Sequence, residues 1–201
     1  MLDRNFFERD PLRCARELVG AELRWGDASG IIVETEAYDA EGDAACHTFF
    51  RPSARAFVAA HPAGTAYVYL NYGMHWLFNV LVKGRRQGFV LVRALEPVTG
   101  VERMIERRKM ADLRKLCAGP GRLTQALGIV GSDHGHDLCV DPVFALHPRS
   151  RRIRPVADSR IGISTAQELL WRFTMPGSVF VSVKPRGETK RPGRFGEPSR
   201  P

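Results

Sequence analysis

Two glutamates two residues apart inside an apolar run are the first feature capable of chemistry. In Ile31-Ile32-Val33-Glu34-Thr35-Glu36-Ala37-Tyr38, the period of a strand puts Ile32, Glu34, Glu36 and Tyr38 on one face and Ile31, Val33, Thr35 and Ala37 on the other. One face is built for packing and the other carries acids. A carboxylate held partly buried on such a strand is a candidate general base; the alternatives are a solvent-facing edge or a structural ion pair. All four tyrosines, Tyr38, Tyr67, Tyr69 and Tyr72, fall around the same strands, with His47, Trp76 and Phe78. Together they form either an aromatic core or a slot for a planar ring, and stacking a base on an aromatic side chain contributes about 1–3 kcal/mol. Asn79 and Arg93 interrupt apolar strands, and a polar group there needs a partner or a ligand, Glu96 being the nearest candidate for Arg93. His47 beside Cys46 reads as a structural histidine or as a third ligand with Glu34 and Glu36, but no His-x-x-His or His-Glu-x-x-His spacing supports a metal site.

The rest of the chain bounds what these residues can serve. With 201 residues, 44% of them hydrophobic and 26% charged, the expectation is one domain with a sizeable core. The net charge is +8 and the isoelectric point near 9.8, which suits a polyanionic partner. The first fifty residues hold five basic and eleven acidic side chains, so the basic surface belongs to the remainder. Cysteines 14, 46, 117 and 139 form neither a Cys-x-x-Cys pair nor a zinc spacing, which points to a reducing compartment rather than a disulfide framework. The N-terminal residues lack the apolar core of a signal peptide, and a cytoplasmic location is expected. Residues 56–82 contain no Asp, Glu, Lys or Arg, but His61-Pro62, Gly64 and Asn71-Tyr72-Gly73 break the run too often for a membrane span, so it reads as two buried strands.

Positioning elements follow from local signals. Asp10-Pro11 starts a helix that ends near Gly20. Strands are expected at 65–71 and 76–82, joined by the tight connection Tyr72-Gly73-Met74-His75, and at 89–95, 160–163 and 179–183. Thr99 with Glu102 is a capping-box signal for a helix to about Met110, and 120–127 is a shorter helix closed by Gly128. Residues 184–201, with four Pro, three Gly and six basic residues, read as a flexible basic tail. Hairpins and unequal helical inserts without repeats give an α+β domain over residues 1–183, built on a curved, largely antiparallel sheet. On the residues alone it is a basic domain with an aromatic, acid-bearing cleft, open to catalysis, to non-catalytic nucleic-acid binding, or to metal-dependent hydrolysis.

Longer motifs narrow this. Val33-Glu34-Thr35-Glu36-Ala37-Tyr38 with His47 nine residues on, then Tyr67-Val68-Tyr69-Leu70-Asn71-Tyr72-Gly73-Met74, Val92-Arg93-Ala94-Leu95-Glu96-Pro97, and Ala118-Gly119-Pro120-Gly121-Arg122-Leu123-Thr124-Gln125-Ala126-Leu127-Gly128 come in the order and near the spacing of the alkyladenine (3-methyladenine) DNA glycosylase family, which this chain resembles over residues 5 to 183. The resemblance implies a monofunctional enzyme of base excision repair, without metal or cofactor, that extrudes a damaged purine from double-stranded DNA; nothing in the sequence demands more than a monomer, and association with the nucleoid through DNA binding is expected. By position, Glu36 resembles the general base and Arg93 its partner at the water and phosphate. Tyr38, His47 and Tyr69 resemble the walls of the base pocket, and Asn79 the residue that rejects the 2-amino group of guanine. Tyr72 resembles the side chain that fills the gap in the duplex, with Gly73, Met74, Arg55 and Arg122 on the DNA side. The family's Thr-Pro-Arg-Asn segment reads Ser53-Ala54-Arg55-Ala56 here, keeping only the arginine, and its later Met-Phe is Ala59-Ala60. That departure bears on the DNA grip of this loop and on lesion preference.

Overall fold

Two helices lead the chain in the computed structural model, which describes residues 1–186. The first, α1 (Arg4–Phe7), is capped by Asp3, and α2 (Pro11–Leu18) has Pro11 in its first turn and buries Cys14, Ala15 and Leu18. Asp10 stands at the N-cap of α2 as its sequence position predicts, yet its carboxylate accepts the Arg86 N–H (2.9 Å), tying the helix to a distant loop. A hairpin of β1 (Glu22–Trp25) and β2 (Ala28–Asp39) follows, then α3 (His47–Phe50) and α4 (Pro52–Ala60). The chain continues through β3 (Ala66–Asn71), β4 (His75–Lys83) and β5 (Gln87–Thr99). Three helices, α5 (Val101–Arg108), α6 (Leu113–Leu116) and α7 (Pro120–Leu127), precede the short strands β6 (Phe144–His147), β7 (Val156–Asp158) and β8 (Arg172–Thr174).

The strands make one antiparallel sheet in the order β3-β4-β5-β2-β1-β6, with β8 on β2 and β7 on β8. Strand β2 pairs with β5 along its length, while its other edge is shared by β1 at 28–31 and β8 at 34–36. One sheet face carries the main core, including Phe7, Leu18, Phe78, Val80, Val90, Val92, Leu123 and Phe173. The other carries a smaller cluster, where Ala54, Phe57 and Val58 of α4 meet Tyr67, Leu81 and Phe89. The fold is thus the expected α+β domain.

Alternation predicts Ile32 on the face of Glu34, Glu36 and Tyr38, and this is corrected. Ile32 lies in the main core with Ala37, because the β2–β5 register shifts between Ile32 and Glu34 and again between Glu34 and Thr35. A bulge inserts a residue and reverses the alternation beyond it. Strand β5 slips at the same level, since Val90 and Val92 face the main core and so does Leu95, three residues on. Together the bulges turn Glu34, Glu36 and Arg93 towards one another on the face away from the main core.

Other expectations also change. The start of the uncharged 56–82 stretch is the end of α4 rather than a strand, with Ala54, Phe57 and Val58 buried at helical spacing after Pro52. Segment 53–60, read as a loop, is therefore helical. No capping box forms at Thr99, which ends β5 with its hydroxyl 2.8 Å from that of Ser29; Gly100, at φ 67°, is the N-cap of α5, and that helix stops at Arg108. Segments 160–163 and 179–183 are not strands: Ile161 N is turned to Glu36 and Ser182 N to Glu34 rather than to a sheet neighbour. Four strands that the sequence did not suggest, β1, β6, β7 and β8, complete the sheet. The basic tail read at 184–201 lies, from residue 187 on, outside the described residues; Arg186 donates its N–H to Asp158 (2.8 Å).

Candidate active site

A cavity of about 730 Å³ opens on the face opposite the main core. Its walls come from five places that the sheet brings together: Tyr38 on β2, 44–47 with Phe50 and Arg51 around α3, alternate residues of β3, β4 and β5 with the β3–β4 turn, Pro120 at the start of α7, and the loop 161–165. Tyr67, Tyr69 and Asn71 point into it from β3, Leu77 and Asn79 from β4, and Phe89, Leu91 and Arg93 from β5, since period-two geometry gives every second residue to this face. Tyr38, His47, Tyr69, Asn79 and Arg93, singled out in the sequence, thus meet at one cavity, with Tyr72 at its edge.

Behind the wall lie the two glutamates, both without exposed surface. Glu34 accepts four hydrogen bonds, from Arg93 Nε (3.1 Å), Arg172 Nη1 (3.2 Å), Ser182 N (2.6 Å) and Ser182 Oγ (2.9 Å). Glu36 accepts three, from the Tyr38 hydroxyl (2.8 Å), Arg93 Nη1 (3.2 Å) and Ile161 N (2.7 Å). A carboxylate offers about four acceptor positions. Among the described residues Glu34 takes three of its bonds on Oε1 and one on Oε2, and Glu36 two on Oε2 and one on Oε1; all three groups that hold Glu36, Tyr38, Arg93 and Ile161, line the cavity, whereas of those that hold Glu34 only Arg93 does. Burial opposes the charge on Arg93, but Glu36 and Glu34 more than offset this and raise its pKa. Glu96, the partner suggested by sequence proximity, makes no ion pair with it among the described residues; the bulges deliver Glu34 and Glu36 instead.

Aromatic groups shape the wall. Burial, then Glu36, holds the Tyr38 hydroxyl well above its usual pKa, so it remains a donor. Tyr69 is likewise raised by burial. The His47 ring lies 4.3 Å from that of Tyr69, edge to face, and its Nδ1 is 3.1 Å from the Tyr67 hydroxyl. Burial, with the positive charge of Arg51 nearby, pulls His47 down to about 4, so it is neutral at pH 7. Asn79 donates from its amide to the Tyr67 carbonyl (3.1 Å). His47 is occupied by aromatic neighbours and the glutamates by arginines, and among the described residues no group of three or more His, Cys, Asp or Glu side chains is arranged to hold a metal ion.

At the rim, the β3–β4 hairpin turns at Tyr72 and Gly73, both with positive φ (49° and 68°), and Met74 N bonds Asn71 O (3.1 Å), as in a type I′ turn. Tyr72 is 84% and Met74 71% exposed, so the turn projects two large side chains into solvent. Helix α7 packs behind the hairpin through Thr124 Oγ1 to Trp76 O (2.7 Å), which places exposed Arg122 two residues from the cavity-lining Pro120. Exposed Arg55 donates to the Thr48 carbonyl (2.6 Å) and so ties α4 to α3.

Sequence reasoning missed the groups that hold the site in place. Arg172 bridges Glu34 and Asp158 (3.2 and 2.6 Å), Ser182 closes over Glu34, and Arg160 forks onto Asp43 (2.6 and 2.9 Å) behind Tyr38. The signal for Arg172 was the one that exposed Arg93, a lone arginine between apolar residues in Trp171-Arg172-Phe173. Ser182 carried none.

The model of the methylpurine-DNA glycosylase family matches residues 5–179. A protein of Rhodopseudomonas palustris that carries 3-methyladenine DNA glycosylase in its name is 45% identical over 183 residues, 90% of this chain and 88% of its own. Similarly named proteins of Agrobacterium fabrum (45% over 181 residues, 90% of this chain and 91% of its own) and Nitrosospira multiformis (42% over 177 residues, 88% and 91%) match as well.

Proposed function

The chain belongs to the methylpurine-DNA glycosylase family, whose members hydrolyse N-glycosidic bonds of DNA, and we propose that it extrudes an alkylated, deaminated or etheno purine from the duplex into the cavity between β3, β5 and α3 and excises it with Glu36 as general base. The observation that carries this reading is the asymmetry between two buried glutamates: Glu36 is held by three groups that all line the cavity, Tyr38, Arg93 and Ile161, whereas Glu34 is turned to Arg172 and Ser182 behind it and shares only Arg93. A water hydrogen-bonded to Glu36 gives up its proton to the carboxylate as its oxygen bonds C1′, and the C1′–N bond breaks with its electron pair going to the purine. A ring-alkylated purine is cationic and leaves as a neutral base; a neutral lesion leaves with a proton taken up on its ring. Among the described residues no lysine lines the cavity, and without a Schiff base the product is an abasic site.

Extrusion costs a few kcal/mol, least at a damaged or mispaired base, and stacking on Tyr38 and Tyr69 beside neutral His47 returns a comparable amount. Tyr72 and Met74 fill the emptied stack, while Arg122, Arg55 and the net positive charge attract the backbone. Asn79 checks the purine edge. The enzyme acts as a monomer in the cytoplasm, with 1–183 as the catalytic domain; among the described residues no helix is long and apolar enough to cross a membrane. The test is a single-turnover assay in EDTA with duplexes carrying hypoxanthine or ethenoadenine and with methylated DNA. Release of free base is expected. Tight lesion binding without release from any substrate would replace the reading with that of a non-catalytic damage sensor.

A further inference from the structure

Among the described residues two charged side chains line the cavity, Arg51 and Arg93, and no carboxylate does. Arg93 is balanced by Glu34 and Glu36. Arg51 makes no ion pair among the described residues; its guanidinium lies 5.7 Å from the ring centroids of both Tyr69 and Phe50. It arises from the N-cap of α4, directly after the short helix that carries His47, so its backbone is fixed by the wall itself: Arg51 N bonds His47 O (2.7 Å) and Arg51 O accepts from Ala54 N (3.1 Å). Burial first, and then the charge of Arg51, lowers the pKa of the neighbouring His47.

We propose that Arg51 is a specificity-determining residue that turns this site towards neutral purine lesions and against ring-alkylated, cationic ones. The inference rests on the glycosylase reading above and extends it to the charge of the substrate. A cationic purine stacked on Tyr69 meets a like charge at the wall and a π-face already engaged by a guanidinium. A neutral purine meets neither cost. As its C1′–N bond breaks, moreover, it gains electron density, which a nearby fixed cation stabilises. Both effects act in the same direction on the ratio of kcat/KM values.

The experiment compares wild type, Arg51→Met and Arg51→Lys in single-turnover excision from duplexes carrying hypoxanthine and from duplexes carrying 7-methylguanine. Arg51→Met is expected to shift the ratio of kcat/KM values about tenfold towards 7-methylguanine, a factor between the aqueous and interior limits for neighbouring like charges. Arg51→Lys is expected to stay near the wild-type ratio, because the charge remains. Equal losses on both substrates in Arg51→Met would show that Arg51 grips the DNA backbone and would overturn the inference alone, as would an unchanged ratio. Wild-type protein that releases neither base would overturn the underlying glycosylase reading instead.

Discussion

Replacing Arg160 with Met strips the base wall of its backing. Arg160 is fully buried, with its guanidinium 4.6 Å from the ring of Tyr38 and 5.2 Å from that of Trp171. It donates to both oxygens of Asp43 (2.6 and 2.9 Å) and to the Ala37 carbonyl (3.0 Å). Asp43 in turn accepts the Asp39 and Ala45 N–H groups, ordering the loop that leads from Tyr38 to His47. Burial opposes the charge on Arg160, yet Asp43 more than offsets it and raises the pKa. Without Arg160, Asp43 is a buried carboxylate without its cation, a loss of about 3–5 kcal/mol, which at about 2–4 °C per kcal/mol lowers Tm by roughly 6–20 °C. The cycle of Arg160→Met, Asp43→Asn and the double variant, followed by urea unfolding, should show the double variant less destabilised than the sum of the singles by about 1–3 kcal/mol. A Tm change under about 2 °C in Arg160→Met, or strict additivity, would refute the reasoning.

Tyr72→Ala is expected to weaken binding to a lesion-bearing duplex by about 1–3 kcal/mol and to leave binding of free modified base nearly unchanged, because it removes the exposed wedge and spares most of the pocket; calorimetry with both ligands checks this. His47, pulled down to about 4 by burial and then by Arg51, is neutral near pH 7. Its folded pKa lies below the unfolded value near 6.5, so the unfolded state binds the extra proton first: the stability contribution is complete above about 6.5 and is lost as pH falls towards 4. NMR titration of the imidazole should therefore find a midpoint near 4; one near 6.5 would place His47 in water.

The β3–β4 hairpin, α2 and α7 were legible because each carries its own local signal: alternation around Tyr72-Gly73, Asp10-Pro11, and Pro120 with Gly128. Tyr38, Tyr69, Asn79 and Arg93 at the cavity, and Glu36 behind them, were also legible as polar or aromatic residues of apolar strands, whereas His47, on α3, was singled out by the family resemblance. The bulges at 32–35 and 92–95 were not, since no local rule marks an inserted residue, and with them went the face of Ile32 and the partners of Arg93. Helix α4 was hidden because an uncharged stretch suits a buried strand or a half-buried helix equally well. The donors of Ile161 and Ser182 belong to segments whose apolar spacing looks strand-like, and only the assembled structure shows their N–H groups turned to Glu36 and Glu34.

The most direct test of the account is single-turnover excision by Glu36→Gln beside wild type, with lesion-duplex affinity measured on the same preparations. Loss of base release by about 10²–10⁴-fold with affinity preserved is predicted, because the amide keeps the shape of the site and cannot take the proton of the attacking water. Excision at the wild-type rate by Glu36→Gln would contradict the assignment of the general base.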